Sequence, residues 1–167
     1  VRIYENSNGT WTKIGDDIDG EASGDQSGIS VSLSADGSTV AIGAPQNDEN
    51  GNASGHVRVF QNTSGNWTQV SADINGEAAG DQSGYVVSLS GDGSTVAVGA
   101  YKNDDGGTDA GHVRVYESTG TTGLSFTTLV DGIVEGVEYA SSSGISGLTT
   151  KEGYFNYLLG DDISFNI

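Results

Sequence analysis

Through residues 1–118 apolar and polar residues alternate with a period of two, not 3.6, and each alternating run is short. Val1-Arg2-Ile3-Tyr4 and Trp11-Thr12-Lys13-Ile14 flank the turn residues Asn6-Ser7-Asn8-Gly9, so this stretch predicts a β-hairpin. After an acidic loop, residues 28–33 and 39–44 predict a second hairpin around Ala35-Asp36-Gly37-Ser38, whose Asp-Gly pair supplies the positive backbone angles of a tight turn. The pattern then returns. Sliding the chain on itself by 56 residues sets 1–56 on 57–112 with 33 of the 56 positions identical, and Val113-Arg114-Val115-Tyr116-Glu117 opens a third copy that breaks off. A four-stranded unit cannot cover both its own faces, so recurrence at this period predicts propeller-type blades. The predicted fold is all-β. It comprises four-stranded blades at 1–56 and 57–112, the start of a third repeat at 113–118, a Ser/Thr/Gly linker at 119–123, and an incomplete β-sandwich segment at 124–167. In that last segment residues 124–130, 134–139, 153–158 and 162–167 read as strands.

Composition sharpens this picture. Twenty-seven glycines, one proline and abundant Asn, Asp, Ser and Thr between apolar runs suit many strands joined by tight turns and leave no room for long helices. Six basic against 23 acidic residues leave a formal charge of -17, which repels nucleic acid and anionic membrane surfaces alike. Such a surface suits divalent-rich surroundings, which raises the question of calcium. Without cysteine there is no disulfide framework, thiolate nucleophile or Cys-based zinc site. No apolar run is long enough to insert into a membrane. The chain opens within a strand pattern and closes in one, so two blades, too few to close a ring, are expected either to belong to a longer polypeptide or to assemble.

Ser27-Gly28-Ile29-Ser30-Val31, then Val40-Ala41-Ile42-Gly43-Ala44-Pro45 and Gly55-His56-Val57-Arg58-Val59-Phe60, with the matching run in the second copy, resemble the FG-GAP repeat of integrin α-chain propellers and bacterial surface proteins. The resemblance implies a propeller fold and an extracellular setting. It departs at two points: Ser27 and Ser83 stand where the family has Phe, and the terminal Pro45 is Tyr101 in the second copy. The family's calcium loop between the inner strands is reduced to Ala35-Asp36-Gly37-Ser38-Thr39 and Gly91-Asp92-Gly93-Ser94-Thr95, and one carboxylate does not supply the six to eight oxygens calcium takes. Parts of 124–167 resemble Ig-like, carboxypeptidase-regulatory-like modules of bacterial surface proteins.

A second acidic loop has better spacing for a cation. Asp17, Asp19, Glu21 and Asp25, matched by Asp73, Asn75, Glu77 and Asp81, place oxygen donors at relative positions 1, 3, 5 and 9, which makes calcium the candidate cofactor. Against that, the glycine falls at relative position 4 rather than 6, and acidic turns also serve simply as solvated connections. The acidic runs starting at Asn47 and Asn103 differ between copies, as binding loops and unconstrained loops both do. His56 and His112, each alone beside a glycine, read as hydrogen-bonding residues at corners, and Trp11 and Trp67 as packing between blades or, alternatively, as stacking platforms for sugar. Catalysis is not expected: no nucleophile elbow, Walker loop or zincin motif is present, and the carboxylates recur by repetition. The leading functional expectation is an extracellular or cell-surface adhesion module contacting a protein or carbohydrate ligand through its loops. The alternatives are a filament or surface-layer subunit that binds further copies of itself, and accessory blades of a secreted enzyme.

Overall fold

The computed structural model describes residues 1–118 in full and, beyond them, the backbone of four short strands. In chain order the strands are β1 (Tyr4–Ser7), β2 (Thr10–Lys13), β3 (Ser30–Leu33), β4 (Thr39–Ala44), β5 (His56–Thr63), β6 (Asn66–Gln69), β7 (Ile74–Asn75), β8 (Val86–Leu89), β9 (Thr95–Ala100), β10 (His112–Ser118), β11 (Phe126–Thr128), β12 (Glu138–Ser141), β13 (Ser146–Leu148) and β14 (Ile163–Asn166). The described residues are all-β, with no helix and no closed sheet. The predicted linker at 119–123 and the predicted strand at 153–158 lie outside them.

The chain divides into two compact units, Val1–Thr119 with Gly123–Thr128, and Gly120–Thr122 with Leu129–Ile167. In the second, β12 is paired antiparallel on either side by β13 and β14. In the first, the predicted hairpins form where the turn residues put them: β1 with β2 across Asn8 and Gly9, both at positive φ, and β3 with β4 across Gly37. The grouping of hairpins into sheets differs from the grouping by repeat. One sheet has the order β3-β4-β5-β6 with β7 added on β5, so it joins the second hairpin of the first copy to the first hairpin of the second copy. The other has the order β8-β9-β10-β11 and takes Phe126–Thr128, a stretch that composition groups with the C-terminal segment, as its edge strand on β10. Each hydrogen-bonded sheet therefore begins some 30 residues after the sequence repeat does. The β1-β2 hairpin stands as a two-stranded sheet of its own.

These two sheets pack face to face. Ala41, Val57 and Val59 of the first meet Val87, Leu89, Val96, Val98 and Tyr116 of the second, and all are buried. The opposite face of the first sheet, Val40, Ile42 and Phe60, is closed by Ile18 together with Val1, Ile3 and Trp67. Both faces of β4 are covered, and every residue in it is buried. Its counterpart β9, of nearly the same sequence, alternates buried with half-buried because only one of its faces is packed. Backbone contact at the interface is direct. A Cβ on Gly43 would overlap the Gly84 carbonyl, which also accepts a 2.7 Å hydrogen bond from the Ser30 hydroxyl. The Leu89 N–H donates to Ser32 Oγ at 2.9 Å, and Gly55 bridges Ser83 in parallel.

Candidate functional site

The acidic loops are held by local chemistry before any question of a ligand arises. Asp17 accepts from Lys13 and from Arg2, each at 2.8 Å, and these two hydrogen bonds, Lys13 first, hold its carboxyl at about 2. Asp25 is buried and takes the Ala22 N–H and the Asn47 side-chain amide at 3.0 Å; Asp81 does the same with Ala78 and Asn103. The ninth position of each loop is thus a clasp between two turns. The Asp19 carbonyl receives Arg58 Nη2 at 2.6 Å. The carboxylates of Asp17, Asp19, Glu21 and Asp25 are not grouped within 4.8 Å of one another, and neither are those of Asp73, Glu77 and Asp81. The reduced hairpin turns are likewise closed by local bonds: Asp36 Oδ1 is engaged by the Ser34 hydroxyl at 2.6 Å and the Ser38 N–H at 2.9 Å, and Asp92 repeats this with Ser90 and Ser94.

Convergence occurs elsewhere, among residues of different loops. Glu21, Glu49, His56 and Asp73 bring ligand atoms within 4.8 Å of one another. The ladder between β5 and β7 brings Asp73 to His56 by setting His56 opposite Asn75, two residues beyond Asp73. His56 Nδ1 lies 3.7 Å from Glu21 Oε2 and 3.6 Å from Asp73 Oδ2, and the other Asp73 oxygen accepts from Gln69 at 2.5 Å. Arg58 Nη1 stands 3.6 Å from the far oxygen of Glu21. The hydrogen bonds expected of His56 are absent: the ring is buried and neither nitrogen has a hydrogen-bond partner within reach, the two carboxylates standing too far from Nδ1 to bond it. A smaller version, Glu77, Asp105 and His112, recurs 56 residues on, more exposed and with Arg114 Nη2 2.5 Å from Glu77. Glu49, Asp105 and the two histidines are the members that spacing along the chain did not associate with the acidic loops. Their only signal was that acid, acid and histidine all recur at the repeat period.

A different surface lies on the face of the second sheet that no described residue covers. Tyr85, Val86, Ser88, Gly99, Tyr101 and Val113 are among the residues lining a groove of about 510 Å³. Tyr85 and Tyr101 stack at 4.6 Å between ring centroids with planes tilted by 52°, and Lys102 sits 5.6 Å above the Tyr101 ring. The tryptophans divide. Trp67 is half-buried and donates its indole N–H to the Ile14 carbonyl at 3.2 Å, whereas Trp11 is 67% exposed.

Among the described residues no helix is long and apolar enough to cross a membrane. A search of curated proteins returns no match. The family model of the FG-GAP repeat matches residues 18–60 and 68–116. The first match runs from the acidic loop through β3 and β4 into β5, and the second from the end of β6 through the next acidic loop, β8 and β9 into β10. With more than half its length matched in two successive repeats, the chain belongs to the FG-GAP repeat family.

Proposed function

We propose that this chain is an extracellular adhesion module of a repeat-containing surface protein, with its sheets stacked as propeller-type blades and the tyrosine-lined face of the second sheet as its contact surface. FG-GAP membership supports the extracellular, adhesive setting. The observation that carries the contact surface is how the two copies differ on equivalent faces. In the first sheet, Ser30 ties the face to its neighbour by the bond to Gly84, and Val57 is fully buried. In the second sheet the matching positions are Val86, 59% exposed, and Val113, 68% exposed, while Ile29 and Pro45 are replaced by Tyr85 and Tyr101. The group that docks a sheet is gone and two amphipathic aromatic rings have come in, a combination suited to a protein surface or a neutral sugar ring.

The test is binding of the purified chain to immobilised neutral polysaccharides and to extracellular matrix proteins, with the Tyr85→Ala/Tyr101→Ala double variant beside it. Retention of the native chain on at least one of these, weakened at least tenfold in the double variant, is expected. Equal retention of both proteins, or none of either, overturns the reading. A second reading, stacking of a further copy on the same face, is favoured by Ser88, Ala97 and Gly99, which match Ser32, Ala41 and Gly43 of the buried face. Light scattering across a concentration series separates it, since only self-stacking produces a dimer that the double variant abolishes.

A further inference from the structure

We propose that Glu21, Glu49, His56 and Asp73 form a structural binding site for one divalent transition-metal ion of the zinc class. The argument begins with His56. Its side chain is 1% exposed, yet neither Nδ1 nor Nε2 makes a hydrogen bond, and buried polar atoms are rarely left in this state without a reason. Nδ1 faces two carboxylate oxygens at 3.6 and 3.7 Å. A protonated imidazole bridging two carboxylates draws them to about 2.7–2.9 Å. Four ligands at zinc bond lengths of about 2.0–2.2 Å stand roughly 3.3–3.6 Å apart along the edges of a tetrahedron. The two separations from Nδ1, 3.6 and 3.7 Å, lie at the long end of the second arrangement, with all four ligand atoms within 4.8 Å of one another.

Charge and donor type agree. Glu21, Glu49 and Asp73 contribute three negative charges against one guanidinium, Arg58, at 3.6 Å from Glu21. The remaining two negative charges suit a divalent ion. Calcium and magnesium take all-oxygen shells, whereas one imidazole nitrogen with carboxylates suits zinc and its neighbours in the transition series. Four protein ligands close the shell, which is the pattern of a structural site. Asn75, cross-strand from His56, likewise has a buried Oδ1 without a hydrogen-bond partner. Because Glu21 and Glu49 belong to the first copy and Asp73 to the second, a bound ion would fasten both acidic loops of the first copy to the β5–β7 ladder. The second cluster supplies an internal reference. Glu77, Asp105 and His112 match three of the ligands, but the residue 56 positions after Asp73 is Leu129, and His112 is 23% exposed.

The experiment is calorimetric titration of chelator-treated full chain with zinc, then with calcium, paired with visible spectra after cobalt substitution. One tight zinc site is expected, at least tenfold tighter than any second one, unaffected by millimolar calcium, with the intense d–d bands of tetrahedral cobalt. Glu49→Gln and Glu21→Gln, both at exposed residues, are expected to weaken that site at least tenfold while thermal unfolding without metal is unchanged; His56→Gln is expected to abolish the cobalt bands. Absence of stoichiometric zinc binding, displacement of zinc by equimolar calcium, or undiminished binding in the folded Glu49→Gln and Glu21→Gln variants each overturns the assignment.

Discussion

Gly43 and Gly99 occupy the same repeat position in nearly identical strands, Thr-Val-Ala-Ile-Gly-Ala and Thr-Val-Ala-Val-Gly-Ala, so replacing each by alanine isolates what the sheet-on-sheet contact contributes. Neither backbone is left-handed, and alanine is conformationally permitted at both. At Gly43 the new methyl would run into the Gly84 carbonyl and the Ser30 hydroxyl, forcing the two sheets apart. Overpacking of that kind costs about 1–3 kcal/mol. Breaking the Ser30–Gly84 hydrogen bond adds about 1 kcal/mol, and the stiffer unfolded chain returns about 0.5–1 kcal/mol. The net destabilisation of Gly43→Ala is therefore about 1–3.5 kcal/mol. At Gly99 the methyl would meet only Val86 Cβ, at 3.6 Å, an ordinary contact. There the unfolded-state term acts almost alone, and Gly99→Ala is expected to be neutral or stabilising by up to about 1 kcal/mol. Urea unfolding followed by tryptophan fluorescence measures both, because Trp11 and Trp67 lie in the unit that contains the two glycines. Equal midpoints for the two variants would refute the face-to-face packing on which this account of the fold rests.

Two further outcomes follow from the loops. Asp25→Ala removes the buried acceptor of the Ala22 N–H and the Asn47 amide and is expected to cost about 1–3 kcal/mol in the same unfolding assay; no loss would show that the clasp does not stabilise the loop. The carboxyls of Asp36 and Asp92 are held at about 2, against an ordinary 3.8, chiefly by the Ser34 and Ser90 hydroxyls and then by the N–H groups of Ser38 and Ser94. Because folding depresses them, their contribution is fully present above the unfolded value and disappears as pH falls from about 4 toward 2. The Asp36→Asn/Asp92→Asn variant is expected to lose less stability than the native chain across that window, and identical pH profiles would exclude the effect.

The paired strands of the hairpins in residues 1–118, their turns and the duplication were legible along the chain because they rest on neighbours: alternation of period two, Asn-Gly and Asp-Gly turns, and a 56-residue offset; the short β7 and β13 carried no such mark. The family resemblance was legible for the same reason. The candidate site was legible only in fragments. Glu21 and Asp73 stood out as oxygen donors, but the spacing rule assigned them to separate loops, and His56 read as a lone corner residue.

What the residues dictated locally, the tertiary structure then distributed. Which hairpins share a sheet depends on ladders such as β4 with β5 and β10 with β11, between segments that carry no mark of their partner. Nearly identical copies acquired unlike surroundings because the second sheet covers one face of the first while its own equivalent face stays open, so Val57 is buried and Val113 exposed. The gathering of Glu21, Glu49, His56 and Asp73 likewise brings together residues up to 52 positions apart, and the β5–β7 pairing accounts for its His56–Asp73 edge through backbone hydrogen bonds rather than through any pattern of side chains. Local propensity acts over a few residues, whereas burial and ligand geometry are properties of whatever the fold places within a few ångströms.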